Sequence, residues 1–468
     1  MKRALFWLLP VALAATGLQA QWTDDPQTNT EIAVKAGSLV QAKFVASPYG
    51  GGFVSWMENT GSGFDVNPDG SLGAPTTAPG TGGPQLLMRS GPGSAFQVPL
   101  NTTWSSKTPA INDAGRVAMS VNSVAGTGNA GVWSGDRNGG GIIDTAADAS
   151  ALYTDVDINN AGQVAWIRRE SAQNGILRYD PISGETEFLT NAPLGASSWT
   201  AISINNSGQV GYRAGFGFAG NAWVSYDANT GAAVHLAEDG VDSNSPYVFL
   251  FTPAFNDQRR IAGRADLGAV GNSQIVVVDP DGSIQVLAEV NVLDPDSPFT
   301  SFRNSVGLNG LGQVAFMAAL SGGGTGVFVA DGDGIQQYAL EGEDGLASIE
   351  FFGPAINNTG GVVFRGFNDQ GDRAIWYADG EQVIAVATRG DEVEIDVGTA
   401  ILAAADAFGP TSPNFGGAPD IGDNGDITFV SLLTDPNDTS VNFGRGVFVV
   451  TVDGPREDRL FSDRFETE

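Results

Sequence analysis

Chemistry in this chain would have to come from carboxylates, because the other reactive side chains are scarce. There is one histidine, His235, and no cysteine. His235 lies in the alternating stretch "AAVHLAEDG", with no GxSxG turn nearby to present a serine to it. A nucleophile, a base and an orienting acid must lie within hydrogen-bond reach of one another, so we read His235 as a strand residue. A single histidine also leaves zinc without its usual ligand set. Calcium suits the chain better, since clustered oxygen ligands fit a hard cation. The best local candidate is "DRNGGGIID", with Asp136, Asn138 and Asp144 at the first, third and ninth places of a calcium-loop-like pattern. Gly140 stands where a further acid is wanted and Ala147 where the closing glutamate belongs, so a Gly-rich hairpin is the competing reading.

Acid and base work by an Asp or Glu pair, as in a glycosidase or lyase, would need two carboxylates facing each other across a funnel. Most acids here sit instead in turn phrases, such as Asp279 and Asp281 in "DPDGS", Asp331 and Asp333 in "DGDG", and Asp379 in "ADGE". Asp-Gly is the ordinary chemistry of a tight hairpin.

The elements that would position any such group are written as a repeat. "AINDAGRVAM" at 110–119, "DINNAGQVAW" at 157–166, "SINNSGQVGY" at 203–212, "GLNGLGQVAF" at 307–316, "AINNTGGVVF" at 355–364 and "DIGDNGDITF" at 420–429 are versions of one phrase. "AFNDQRRIAG" at 254–263 is looser, with Arg259 in the glycine place. Anchors at Ile111, Ile158, Ile204, Phe255, Leu308, Ile356 and Ile421 give spacings of 47, 46, 51, 53, 48 and 65 residues. "PYGGGFVSW" at 48–56 is an earlier degenerate copy, which makes eight units.

Asn-x-x-Gly between two alternating apolar runs suits a type I turn closed by a left-handed glycine, hence a β-hairpin. A second hairpin follows in each unit, as in "GILRYDPISGETEFLT" from 175 and "QIVVVDPDGSIQVLA" from 274. Two hairpins per unit, at a period near 50, predict an all-β β-propeller of four-stranded antiparallel blades. Eight blades are favoured and seven are the alternative. The expected divisions are a signal peptide at 1–20, a loose leader at 21–30, one propeller domain at 31–461 and an acidic tail at 462–468. The segment "EIAVKAG" at 31–37 would close the ring by pairing with the last blade.

The phrases resemble those of bacterial exported proteins built from tandem NxxGxxAF repeats, most nearly in "LNGLGQVAF". That resemblance implies a propeller-like fold and an exported location, and it implies no catalytic residues. The ending "LFSDRFETE" is similar to the Phe-x-Asp-Gly-Phe-Glu tails of exported Gram-negative proteins, with Arg464 in place of the glycine.

Composition agrees with export. Lys2 and Arg3 precede an apolar stretch at 4–15 and small residues up to Ala20, the pattern of a secretory leader. No later apolar run reaches the length of a membrane helix. The formal net charge of −30 repels phosphate backbones and anionic lipid, which excludes nucleic acid as a partner. The expectation is an exported monomer, extracellular or at the cell surface, with the periplasm as a further location. Its role would be a non-catalytic binding or surface module for protein or polysaccharide. A glycoside hydrolase or lyase with an acidic funnel is the alternative.

Overall fold

The computed structural model describes residues 110–402 with short interruptions, most of 419–452, and strand segments between 44 and 103. The leader, the "EIAVKAG" segment, the 403–418 insertion and the acidic tail lie outside the described residues.

Among the described residues, every regular element apart from one short 3-10 turn at Gly217–Ala219 is a strand. These strands form eight sheets of four or five antiparallel strands along the chain, with two small two-stranded sheets, Ser62–Val66 with Leu72–Pro79 and Thr102–Thr103 with Ser123–Val124, beside them. The third sheet is typical: Leu152–Ile158, Val164–Arg169, Gly175–Asp180 and Glu185–Thr190 pair in sequence order. The degenerate copy at 48–56 pairs in the same way, Phe44–Ala46 against Phe53–Met57. In the last sheet, as in the fifth to seventh, two segments, Gly398–Leu402 and Asp420–Ile421, pair with one strand, Asp426–Thr434, and it departs from the pattern in the added strand Glu392–Ile395 beside Gly398–Leu402. The final strand, Asn442–Thr451, covers the other edge of Asp426–Thr434.

Neighbouring sheets bury their faces against one another, as alternating apolar strands require. Trp199, Ile204, Val210 and Tyr212 of the fourth sheet pack on Ile167, Ile176 and Leu189 of the third. Phe299, Phe302 and Phe316 of the sixth pack on Ile275, Val277 and Ala288 of the fifth. Phe299 contacts Phe316 and Phe328 edge-to-face, with ring centroids 5.8 and 4.9 Å apart, an arrangement that adds to area burial.

Each repeat phrase folds as its turn chemistry demands. In the third sheet the Gly162 N–H donates to Asn159 O at 2.9 Å, and the Asn159 N–H donates to Gln163 O at 3.1 Å. The closing residue takes a left-handed φ throughout: +77° at Gly162, +76° at Gly208, +90° at Gly312 and +86° at Gly360. Arg259 takes φ +66°, so the exceptional repeat keeps the same turn and bears the strain of a β-carbon there.

Candidate functional site

The innermost strand of each sheet leads into its Asn-x-x-Gly turn, and these turns surround a common cavity of about 300 Å³. Its lining includes the repeat asparagines Asn112, Asn159, Asn205, Asn256, Asn309 and Asn357, together with Asp157, Asp257, Asp420 and Asp423.

Each asparagine does two things with one amide. Its Oδ1 closes its own turn by accepting the backbone N–H four residues on, as from Gln163 to Asn159 and from Gln313 to Asn309, each at 2.9 Å. Its Nδ2 points to the next sheet, except at Asn205, where the bond is to Gln209 Oε1 of the same turn, at 2.9 Å. Asn112 donates to Asn159 O at 2.9 Å, Asn159 to Asn205 O at 3.0 Å, and Asn256 to Asn309 O at 2.9 Å. Asn309 donates to Asn357 O and Asn357 to Gly422 O, each at 2.9 Å. Only an amide of this length supplies an acceptor and a donor in these two directions, which is the physical reason the phrase keeps its asparagine.

A second layer uses the following residue. The Asn160 N–H donates to Asn206 Oδ1 at 2.8 Å. Asn206 gives its backbone N–H to Asp257 Oδ1 at 2.8 Å and its Nδ2 to Oδ2 at 2.7 Å. Asn358 repeats that pair with Asp423, at 2.7 and 2.8 Å. The cavity's carboxylates are therefore acceptors in bonds between sheets. Asp157 accepts from Ser203 Oγ at 2.9 Å and from the Ile204 N–H at 2.8 Å.

Burial pushes the Asp157 carboxyl up to about 6 against those bonds, with a small further push from Asp257. A carboxyl raised by folding contributes stability that is complete below its unfolded pKa, about 3.9, and is lost as pH rises through about 6. Asp157→Asn should accordingly match the parent near pH 4 and become progressively more stable than it toward pH 8. Melting temperatures across that range test this; a constant offset would show that the charge is not the cause.

The middle of the innermost strands, just ahead of the turn, is where the repeat loses its symmetry. In the third and fourth sheets one extra residue bulges from this strand, with Asp155 and Ala201 at φ +44° and +55°. In the fifth, residues 251–253 stand opposite 263–264. In the sixth, residues 303–306 stand opposite 316–317, and in the seventh 350–354 opposite 364–365. The excess thus grows from one residue to two and then three. Bulges of this kind re-aim side chains and gather beside functional sites.

What they present is a run of phenylalanine and arginine. Arg264 stacks 3.9 Å from the Phe251 ring, Arg303 3.6 Å from Phe351, and Arg365 4.1 Å from Phe352. Phe249 packs edge-on to Phe251 at 4.7 Å. Arg264 Nη1 also donates to Phe302 O at 2.8 Å and Asn304 Oδ1 at 3.1 Å, tying the fifth sheet to the sixth. Phe351 remains 70% exposed and Phe249 and Phe352 37%.

Of the residues singled out in the sequence, Asn138 lies outside the described residues. Asp136 and Asp144 are on facing strands, where Asp136 pairs with Gly139 and Asp144 with Val132. That register sets them four residues apart along the hairpin, about 13 Å at 3.3 Å per residue. Asp144 accepts the Tyr153 hydroxyl at 2.7 Å. Among the described residues no three His, Cys, Asp or Glu side chains gather as a metal would need.

His235 Nε2 lies 2.7 Å from Ser225 Oγ, a pairing the sequence did not suggest. Ser225 is only 2% exposed on a central strand, so a substrate could not reach it. Burial, and then the Arg259 guanidinium, depress the imidazole below its usual range. At the preceding junction the arginine comes from the other side: Arg178, one residue before the equivalent turn as Ser225 is, donates to Gly208 O at 2.9 Å. Arg259→Gly should stabilise the fold by about 1 kcal/mol through loss of the left-handed strain, and Gly162→Ala should cost about as much. The same change should raise the pKa of His235, which as the sole histidine gives an unobstructed NMR titration; an unmoved midpoint would refute the contact.

Antiparallel four-stranded sheets, packed face to face around a polar cavity, make this a propeller-like all-β protein. The chain belongs to the family of unknown function DUF7453, whose model matches residues 180–454. No curated protein matches it. Among solved structures it is similar to TolB from Acinetobacter baumannii, at 15% identity over 58% of this chain and 61% of that one, with a TM-score of 0.34. It is also similar to a prolyl endopeptidase, at 12% identity over 85% of this chain and 55% of that one, with a TM-score of 0.47. A third is a gluconolactonase from Xanthomonas campestris, at 14% identity over 61% and 86%, with a TM-score of 0.30. The chain spans less than two thirds of the length of the first two. Among the described residues no helix is long and apolar enough to cross a membrane.

Proposed function

We propose that this chain is an exported, non-catalytic propeller of eight blades, of the NxxGxxAF repeat kind, that binds a protein or polysaccharide partner. The observation that carries the binding reading is the division of labour along the innermost strands. At one end the carboxylates accept hydrogen bonds between sheets. In the middle of the same strands, bulges of growing size present exposed phenylalanines braced by arginine. Ring closure is supported by Phe44–Ala46 of the first sheet, which lies against Asp420–Ile421 and Asp426–Thr434 of the last as well as Ala110–Ile111 of the second. Export is supported by Lys2, Arg3 and the apolar stretch that follows.

The glycoside hydrolase or lyase alternative would need free carboxylates in the cavity, and Asp157, Asp257 and Asp423 are each committed as acceptors. Incubating purified protein with polysaccharides should release neither new reducing ends nor unsaturated sugars. Sustained release that Asp157→Asn abolishes would replace the binding reading with an enzyme. Cell fractionation should find the protein outside the cytoplasm without residues 1–20.

A further inference from the structure

We infer that the bulged middle segments of the fifth, sixth and seventh innermost strands form a binding site for an uncharged saccharide, an inference that rests on the binding reading above. Its first element is the set of exposed rings. Phe351 and Phe352 each have an arginine guanidinium stacked over them, 3.6 and 4.1 Å from the ring centroid. Guanidinium stacking holds a ring in place at little entropic expense. A braced ring with an open face suits the C–H face of a pyranose, which is apolar and flat.

The second element is the charge. Arg303 aside, the arginines of the strip are matched where they stand. Arg264 faces Asp266 at 3.4 Å, and Arg365 and Arg373 share Glu350 at 2.8 and 3.1 Å. A polyanion would approach a chain of net charge −30. A cationic partner would meet Arg303, whose Nε has no hydrogen-bond partner among the described residues. What the strip offers an occupant is planar hydrogen-bonding groups beside apolar rings, as with the exposed Asn304 next to Arg264. Many hydroxyls on an apolar frame, without charge, is the complementary chemistry.

The third element is the loss of symmetry. The Asn-x-x-Gly turn repeats almost unchanged from sheet to sheet, whereas the bulge just ahead of it grows stepwise over three adjacent sheets. A purely structural role would leave turn and bulge equally regular.

Affinity electrophoresis tests the inference. The full mature chain is run through native gels containing soluble xyloglucan, galactomannan or β-glucan as neutral probes, and polygalacturonate as the acidic one. At least one neutral polysaccharide should retard the protein, and Phe351→Ala/Phe352→Ala should weaken that retardation at least tenfold. Phe218→Ala, an exposed phenylalanine in a turn away from the strip, should leave it unchanged. Circular dichroism confirms that the double variant is folded, and Phe351→Tyr should restore retardation if the ring is the contact. Retardation by polygalacturonate alone, lost in the double variant, would overturn the ligand class and leave the binding reading standing. Retardation that ignores the double variant would overturn this site. Failure of all the neutral gels would overturn the inference, and the binding reading would then rest on a protein partner.

Discussion

Replacing Glu350 by alanine is expected to destabilise the fold by about 3–5 kcal/mol, the largest effect of any single polar change considered. Its carboxylate accepts from Arg365 Nε at 2.9 Å and from Arg373 Nε at 3.1 Å. The Arg365 side chain is fully buried, and removing Glu350 leaves a desolvated cation without the carboxylate it faces. Burial already pulls the Arg365 guanidinium below its usual range, with Glu350 opposing that pull. Arg365→Met should cost much less, because methionine fills the space without charge and Glu350 keeps Arg373. Urea unfolding of the two variants gives the comparison. Equal losses would mean that packing, not the uncompensated charge, sets the cost.

Asn309 offers the second large effect. Alanine there removes the donor to Asn357 O and the acceptor for the Gln313 and Leu311 N–H groups, at 2.9 and 3.1 Å. Stranding buried backbone groups costs roughly 1–3 kcal/mol each, so a loss of about 3 kcal/mol is expected. The informative partner is Asn309→Asp. Aspartate keeps the turn-closing acceptor and is as good a turn former as asparagine, but it would point an oxygen at the Asn357 carbonyl. If the bond between sheets matters, aspartate is no better than alanine. If only the local turn matters, aspartate recovers most of the stability, and the inter-sheet account fails.

These two residues mark how far the sequence could be read. Hairpins, four-stranded sheets and the left-handed glycine were legible, because turn chemistry is local and period-two alternation fixes strand faces. Arg259 was legible as the exception in the glycine place, and the structure shows that it keeps the turn and takes the left-handed φ. The outward-facing half of Asn309 was not, since its partner lies 48 residues away and depends on how sheets are set against each other. The phenylalanine and arginine strip was hidden for a related reason. Spacings of 51, 53 and 48 differ from 46 and 47, yet spacing alone does not separate a bulge in the inner strand from a longer outer turn. "SIEFFGPAI" also alternates poorly, and only the register of Ile349 with Gly366 and Ala355 with Val363 shows how much chain is extruded. The lone histidine went the other way: its serine neighbour lies on the paired strand, visible only once the bulge between Trp223 and Val224 is known.

The relay of asparagine amides has a direction. Apart from the junction after Asn205, each of these units donates a hydrogen bond to the unit that follows it in the chain, so a copied unit brings both halves of its own coupling. Such a chain can lengthen by duplication of whole units without a new junction having to be invented, and units are free to diverge wherever the relay does not pass. The last unit has Gly422 in the asparagine place, which accepts from Asn357 and has no amide to pass on. Growth by duplication is therefore open at each junction the relay crosses, and the relay stops at that glycine.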